Sequence, residues 1–261
     1  MKKYCVIGNP IDHSLSPKLH NFWLKKNKVN ASYEKKLIEK EGVKEIIKNV
    51  KNDLIEGLNV TVPYKNFVIE HLDDLTPEAE RTQSVNTVYK KDKKIVGHNT
   101  DIAGFELAIR YAKFDVSNKK VLIIGAGGVT PSIIYALLKM NCNEIFVMNR
   151  TKEKAEGIRK IFNQIQVKKW GDNVNFDLII NTTSIGLKND NLNLDLNVTN
   201  KMFFDLIYNP IKTPFLEKAE KDGNRIENGL MMFIYQAHQS FVIWNKIIPK
   251  IDDEIIKMLS K

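Results

Sequence analysis

Apolar residues in this chain alternate between two spacings: short unbroken runs, and longer stretches in which they recur at i, i+3 and i+4. Tyr4–Gly8 reads as a buried strand. Ser16-Pro17 then opens a helix, with Ser16 as N-cap and Pro17 in the first turn, and with Leu19, Phe22, Trp23 and Leu24 turned inward. Ser32–Leu37 reads as a strand, Val43–Val50 as a helix, and Leu58–Val62 as a third strand ending at Pro63. A helix is expected from about Lys65 to Leu72, then a hairpin of Val85–Lys90 and Lys94–Gly97 turning at Lys91–Lys93. A helix over Asp101–Tyr111 leads into a second alternating region. There Val121–Ile124, Glu144–Met148, Leu178–Asn181 and Met202–Leu206 are strands. Pro131–Met140 and Lys152–Phe162 are helices. Continuous aliphatic strands alternating with helices describe a parallel, doubly wound sheet. Gly229–Trp244 is strongly apolar and helical in period. The fold class is therefore α/β, with two α/β domains, the second Rossmann-like.

Composition narrows the class. Of 261 residues, 43% are hydrophobic and 27% charged, which is ordinary for a soluble globular protein. The two cysteines, Cys5 and Cys142, stand far apart without metal-ligand spacing, so no disulfide framework and no metal site is expected. The opening MKKYCVIG has only about four consecutive apolar residues, too few for a signal peptide. No run approaches the roughly 20 residues of a membrane span. A cytoplasmic location follows. The net charge of +9 raises nucleic acid as a partner. However, the excess lies in runs such as 34–51, where Lys and Glu alternate with Leu, Ile and Val as on the solvated face of a helix. Small anionic molecules suit that charge better, with neither nucleic acid nor membrane as partner. A homodimer is left open.

Val121–Gly128, VLIIGAGG, places three glycines between a strand and a helix. Gly125 permits a tight turn, while Gly127 and Gly128 let backbone amides approach a pyrophosphate at the helix N-terminus. The spacing falls short of G-x-G-x-x-G because the sixth position is Thr130. About 20 residues past the first glycine, NAD binders carry an acid for the ribose 2′-hydroxyl. This chain instead has Asn149-Arg150-Thr151, followed by Lys152 and Lys154. A guanidinium fork matches phosphate oxygens, so NADP(H) is the expected cofactor. Thr151 is placed to cap the helix that follows.

Lys65 stands just past Pro63, where the third strand reaches the rim of its sheet, and rims are where open α/β sheets hold ligands. Four polar clusters occupy other loops: His13–Pro17, Ser84–Thr87, Gly97–Asp101 and Tyr235–Gln239. Singly each is ordinary, and His13 and His98 read as surface or supporting groups. Together they offer hydroxyls, amides, one ammonium and one carboxylate, a set suited to a small polyhydroxylated substrate.

In this combination and order the chain resembles the shikimate dehydrogenase family. The resemblance rests on GNPIDHSLSPKLHN (Gly8–Asn21), NVTVPYK (Asn59–Lys65), SVNT (Ser84–Thr87), GHNTDIAGF (Gly97–Phe105), IIGAGG (Ile123–Gly128), NRT (Asn149–Thr151), NTTSIG (Asn181–Gly186) and GLMMFIYQA (Gly229–Ala237). It implies a substrate-binding, catalytic domain of residues 1–101 plus C-terminal helices 230–261, and an NADP domain of 102–229. Lys65 and Asp101 would flank the reacting oxygen. Ser14 and Ser16 would bind the substrate carboxylate, with Tyr208 near it. Thr61, Asn86, Asp101 and Gln236 would hold its hydroxyls. Gly125, Ala126, Gly127, Gly128 and Val129 would cradle the pyrophosphate, and Asn149, Arg150, Thr151 and Lys154 the 2′-phosphate. Thr183, Leu206 and Gly229 would lie along the nicotinamide half. Val129-Thr130-Pro131 departs from the small and basic run that often follows GAGG. NTTS stands where the family commonly has NATS.

The reaction so implied is the reversible NADPH-dependent reduction of 3-dehydroshikimate to shikimate, in chorismate and aromatic amino-acid biosynthesis. A quinate or mixed quinate/shikimate dehydrogenase using NAD is the nearest alternative, opposed by Arg150, Lys154 and the serines at 14 and 16. A non-catalytic NADP-binding regulator is opposed by the presence of both Lys65 and Asp101.

Overall fold

The computed structural model describes residues 1–260, which form two compact units, Met1–Gly104 with 234–260, and Phe105–Phe233. The first unit runs β1 (Lys2–Gly8), α1 (Ser16–Lys26), β2 (Ala31–Leu37), α2 (Gly42–Lys51), β3 (Gly57–Val60), a 3-10 helix (Phe67–His71), β4 (Asp74–Leu75), α3 (Pro77–Thr82), β5 (Thr87–Lys91) and β6 (Lys94–His98). Next comes α4 (Asp101–Tyr111), inside which the division between the units falls. The second unit holds β7 (Lys120–Ile124), α5 (Thr130–Lys139), β8 (Glu144–Met148), α6 (Lys152–Ile161), β9 (Gln166–Lys168), β10 (Leu178–Asn181), β11 (Met202–Asp205), α7 (Pro214–Lys221) and β12 (Arg225–Glu227). The other division falls inside α8 (Leu230–Asn245), and α9 (Asp253–Leu259) closes the chain. Among the described residues no helix is long and apolar enough to cross a membrane.

The first sheet has the order β2-β1-β3-β5-β6-β4. β1 pairs in parallel with β2 and β3, whereas β3–β5 and β5–β6 are antiparallel. Tyr4 to Gly8 are buried because β1 is covered on both faces. Helix α2 turns Val43, Ile46, Ile47 and Val50 onto this sheet's core, the i, i+3, i+4, i+7 stripe its sequence carries. In the second unit the order is β12-β11-β10-β7-β8-β9, all parallel. Its register aligns Ile124 with Met148 and Asn181, and Asn181 with Asp205. The strand ends therefore share one edge, from which the loops after Ile124, Met148, Asn181 and Asp205 all leave.

Three local expectations are corrected. Ser16 does not cap α1: Leu15 holds the cap position and makes no side-chain cap bond, while Ser16 faces Ser14. The segment after Pro63 is a turn rather than a helix, so Lys65 precedes the 3-10 helix instead of starting an α-helix. Thr151 occupies the N-cap position of α6 but its hydroxyl makes no cap bond.

His20, from α1, is buried among aromatic rings. It stacks on Tyr33 at 4.2 Å and lies beside Trp23, Phe241 and Trp244, and its Nε2 has no hydrogen-bond partner among the described residues. Burial pushes its pKa down to about 3. The unfolded chain then binds the extra proton, so His20 leaves stability intact above its ordinary pKa near 6.5 and removes it as pH falls toward 3. Between pH 8 and pH 5 this amounts to about 2 kcal/mol. Urea titrations of wild type and His20→Phe at both pH values should show a smaller acid loss in the variant by roughly that amount. Equal losses would contradict the assignment.

Candidate active site

Strand pairing in the first unit gathers its polar loops at one end of β3. Asn59 lies opposite Thr87, and Thr87 opposite His98, so the turn after β3, the start of β5 and the end of β6 converge. Val85 donates its amide to the Lys65 carbonyl at 2.8 Å, tying that turn to the segment before β5. Lys65 and Asp101 are thereby buried together, 8% and 4% exposed, with Nζ 2.6 Å from Oδ2. The other carboxylate oxygen, Oδ1, accepts from Asn86 Nδ2 at 2.9 Å. Asp101 also begins α4, where the exposed amides of a first helical turn favour negative charge.

Asn86 cannot rotate freely. Its Oδ1 accepts from the Thr100 amide at 2.8 Å, which aims Nδ2 at Asp101. Nδ2 also lies 3.4 Å from Gln236 Oε1 on α8. Behind this layer is a second one that sequence reading did not single out. Asn59 Nδ2 donates to the Asn86 carbonyl at 3.0 Å, to Thr87 at 3.2 Å and to Ser240 at 3.1 Å, while its Oδ1 accepts from the Tyr33 hydroxyl at 2.7 Å. Ser240 Oγ sits 2.8 Å from Thr87 Oγ1 and 3.3 Å from Thr100 Oγ1. Asn99 donates to the Ser84 carbonyl and accepts from the Asp101 amide. Motif membership was the signal for Asn59, Thr87, Asn99 and Thr100; Ser240 carried none.

The remaining residues fall as follows. Ser14 Oγ donates to Ser16 Oγ at 3.2 Å, so these two hydroxyls are paired. Thr61 is half-buried at the end of β3. His98 holds Thr76 through Nδ1 at 2.8 Å, and His13 is exposed. Tyr208 belongs to the second unit, stacked on Phe233 at 4.5 Å.

In the second unit, Gly125 has φ +115°, and a Cβ there would stand 2.5 Å from Thr182 Oγ1, so only glycine fits the turn. A Cβ on Gly127 would meet nothing within 4 Å, leaving the outer face of the loop open. No side chain caps α5 and no acidic residue enters its first turn. The positive end of its dipole therefore faces no carboxylate of its own first turn, which favours an anion there. The Gly125 amide bonds the Met148 carbonyl at 2.9 Å, which sets the glycine loop beside Asn149 and Arg150. Arg150, Thr151 and Lys154 are exposed, and among the described residues neither Arg150 nor Lys154 is in an ion pair. Thr183 reaches the same place, its Cγ2 being 2.9 Å from where a Gly125 Cβ would stand. Leu206 and Gly229 also meet: a Cβ on Gly229 would fall 2.0 Å from the Leu206 carbonyl oxygen. Asp205, just before, is buried, which pushes its carboxyl up to about 6 against the hydrogen bonds from Thr213, Ile207 and Asn181. An open glycine turn, a helix start without acidic residues and an unneutralised basic group together fit a phosphorylated dinucleotide.

Residues 6–88 match the model of the shikimate dehydrogenase substrate binding domain, and residues 106–192 that of the shikimate / quinate 5-dehydrogenase family. A shikimate dehydrogenase (NADP(+)) of Pelagibacter ubique is 52% identical over 261 residues, covering 99% of this chain and 98% of the relative. The chain belongs to the shikimate dehydrogenase family. Another family member, from Caldicellulosiruptor bescii, is 37% identical over 273 residues, spanning 100% of this chain and 95% of that one. Among solved structures, a shikimate dehydrogenase in complex with NADP+ superposes with TM-score 0.90 at 32% identity, covering 100% of this chain and 96% of that chain. The Thermus thermophilus enzyme in complex with NADP(H) and shikimate gives TM-score 0.89 at 30% identity, covering 100% and 98%. The two-domain α/β fold, with its parallel Rossmann-like sheet, is that of the family. Among the described residues no group of three or more His, Cys, Asp or Glu is placed to hold a metal ion.

Ser240→Ala removes a hydroxyl to which Asn59, Thr87 and Thr100 are all bonded, leaving buried polar atoms short of partners. Urea unfolding should show a loss of about 1–3 kcal/mol. An unchanged midpoint would show that the network does not depend on this hydroxyl.

Proposed function

We propose that this chain is an NADP-dependent shikimate dehydrogenase, reducing 3-dehydroshikimate reversibly to shikimate. The observation that carries this reading is the buried Lys65–Asp101 pair at 2.6 Å, its second carboxylate oxygen held by Asn86. The family relationship supplies the reaction class. When bound, NADPH supplies the hydride that reduces the ketone carbon. Lys65 assists proton transfer to the oxygen as the C=O π bond gives way to new C–H and O–H bonds. Its ammonium stabilises negative charge developing there, more strongly in a buried site than in water. Asp101 orients that ammonium through Oδ2 and aligns the substrate hydroxyl.

Around this pair, Thr61, Asn86 and Gln236 hold hydroxyls, and Ser14 and Ser16 bind the carboxylate, with Tyr208 beside it. Gly125 to Val129 cradle the pyrophosphate; Asn149, Arg150, Thr151 and Lys154 hold the 2′-phosphate; Thr183, Leu206 and Gly229 flank the nicotinamide half. Residues 1–101 with 230–261 serve the substrate, and 102–229 the cofactor.

An absorbance assay crossing NADP+ and NAD+ with shikimate and quinate tests the reading. Reduced cofactor should form fastest with NADP+ and shikimate; turnover confined to quinate or to NAD+, or none at all, would contradict it. Lys65→Met should lower kcat by about 10² or more while changing substrate affinity far less. A kcat near wild type would remove Lys65 from the reaction. Arg150→Ala should raise KM for NADP+ by roughly tenfold, through loss of a charge-assisted phosphate bond, and leave KM for NAD+ unchanged. Equal effects on both cofactors would place Arg150 elsewhere.

A further inference from the structure

Thr130 and Thr182 are 52 positions apart, yet their side chains meet beneath the glycine turn. Thr130 is fully buried and Thr182 is 9% exposed, and their hydroxyl oxygens are 2.9 Å apart. Around them the geometry favours one direction of donation. Thr182 Oγ1 lies 2.9 Å from the Ile124 carbonyl oxygen, which only accepts, so Thr182 spends its single proton there. Its oxygen then accepts from Thr130, whose alternative acceptor, the Gly125 carbonyl, is farther at 3.3 Å. Thr130 Oγ1 in turn accepts the Gly127 amide at 3.2 Å. The relay runs from the Gly127 N–H through Thr130 and Thr182 to the carbonyl at the end of β7.

Neither threonine is explained by the core. A buried hydroxyl without a partner carries the full penalty of its desolvation, and an aliphatic side chain would fill the same space without that risk. What the two hydroxyls accomplish is local. They anchor the loop at Gly127, the position whose outer side is open and whose carbonyl is held by the Thr130 amide at 3.1 Å. They also join two places where the sequence departs from expectation: the sixth position of the glycine motif and the second position of NTTS.

We infer that Thr130 and Thr182 are positioning residues for the cofactor, a hydroxyl clasp that fixes the glycine loop in the shape that receives the nucleotide phosphates. This rests on the NADP reading proposed above. The clasp touches neither substrate nor reacting atoms. Its loss therefore falls on cofactor binding through lost preorganisation and leaves the chemical step alone.

The test combines amide exchange with cofactor binding. In wild type without cofactor, the Gly127 amide should exchange at least about tenfold more slowly than an unprotected one. Thr130→Val and Thr182→Val should each weaken NADPH binding, followed by nicotinamide fluorescence, by about tenfold, with kcat at saturating NADPH within about twofold of wild type. Thr130→Ser, which keeps the hydroxyl, should restore binding. The double variant should bind no worse than either single one, because one relay is broken in all three. Wild-type affinity in both valine variants would overturn the clasp alone, as would an unprotected Gly127 amide, which needs no variant to fold. Failure of wild type to bind NADPH while Gly127 stays protected would instead overturn the cofactor reading, and the positioning role with it.

Discussion

The first unit is organised around a charge pair that water barely reaches. Withdrawing an ammonium and a carboxylate from solvent costs several kcal/mol per ion, and their mutual attraction offsets this only when the remaining lone pairs and protons also find partners. Here Asp101 Oδ2 faces Lys65, Oδ1 faces Asn86, and the carboxylate stands in the first turn of α4. Each of these needs its own support. Asn86 is aimed by the Thr100 amide, Thr100 neighbours Ser240, and Ser240 meets Asn59. The polar network in the middle of an otherwise aliphatic and aromatic core is thus the condition under which two charges can stay buried and fixed. A site with that rigidity can hold a hydroxylated ring in one orientation, which is the demand that stereospecific hydride transfer imposes.

The second unit solves a different problem, that of keeping a glycine loop open at a helix start without collapsing. Parallel register brings four strand ends to one edge, and the turn after β7 is kept open by glycines. Openness carries the risk of disorder. The Gly125 bond to Met148 and the threonine pair below the loop supply the restraint that side-chain packing cannot. Charge follows the same division, because the glycine turn carries no charged side chain whereas Arg150 and Lys154 stand exposed at the neighbouring strand end.

Much of this was legible in the chain because the signals are local. Unbroken aliphatic runs marked β8 and β10 with the same bounds the structure has, and α4 likewise. Lys65, Asn86 and Asp101 were joined by the family resemblance of their motifs, and the pairing of β3, β5 and β6 is what brings those motifs together. Local reading failed where the deciding partner is remote. Asn59 and Ser240 are 181 positions apart and nothing in either neighbourhood names the other. It also failed at short elements: β9 and β12 have three residues each, too few for any period to show. Helices α3 and α7 carried a usable signal that went unread, a threonine cap followed by proline at Thr76-Pro77 and Thr213-Pro214. Ser16 shows the reverse error, since a serine before proline has the form of a cap while its hydroxyl is paired with Ser14 instead.

The account stands or falls on whether the ammonium and the carboxylate act as one unit. The most direct measurement is a double-mutant cycle on kcat/KM for shikimate, with Lys65→Met, Asp101→Asn and the double variant. Residues that serve a single step should be strongly non-additive, the double variant falling within about tenfold of the worse single one. If the two losses simply multiply, the residues act independently, and the buried pair is a structural feature of the first unit rather than its reaction centre.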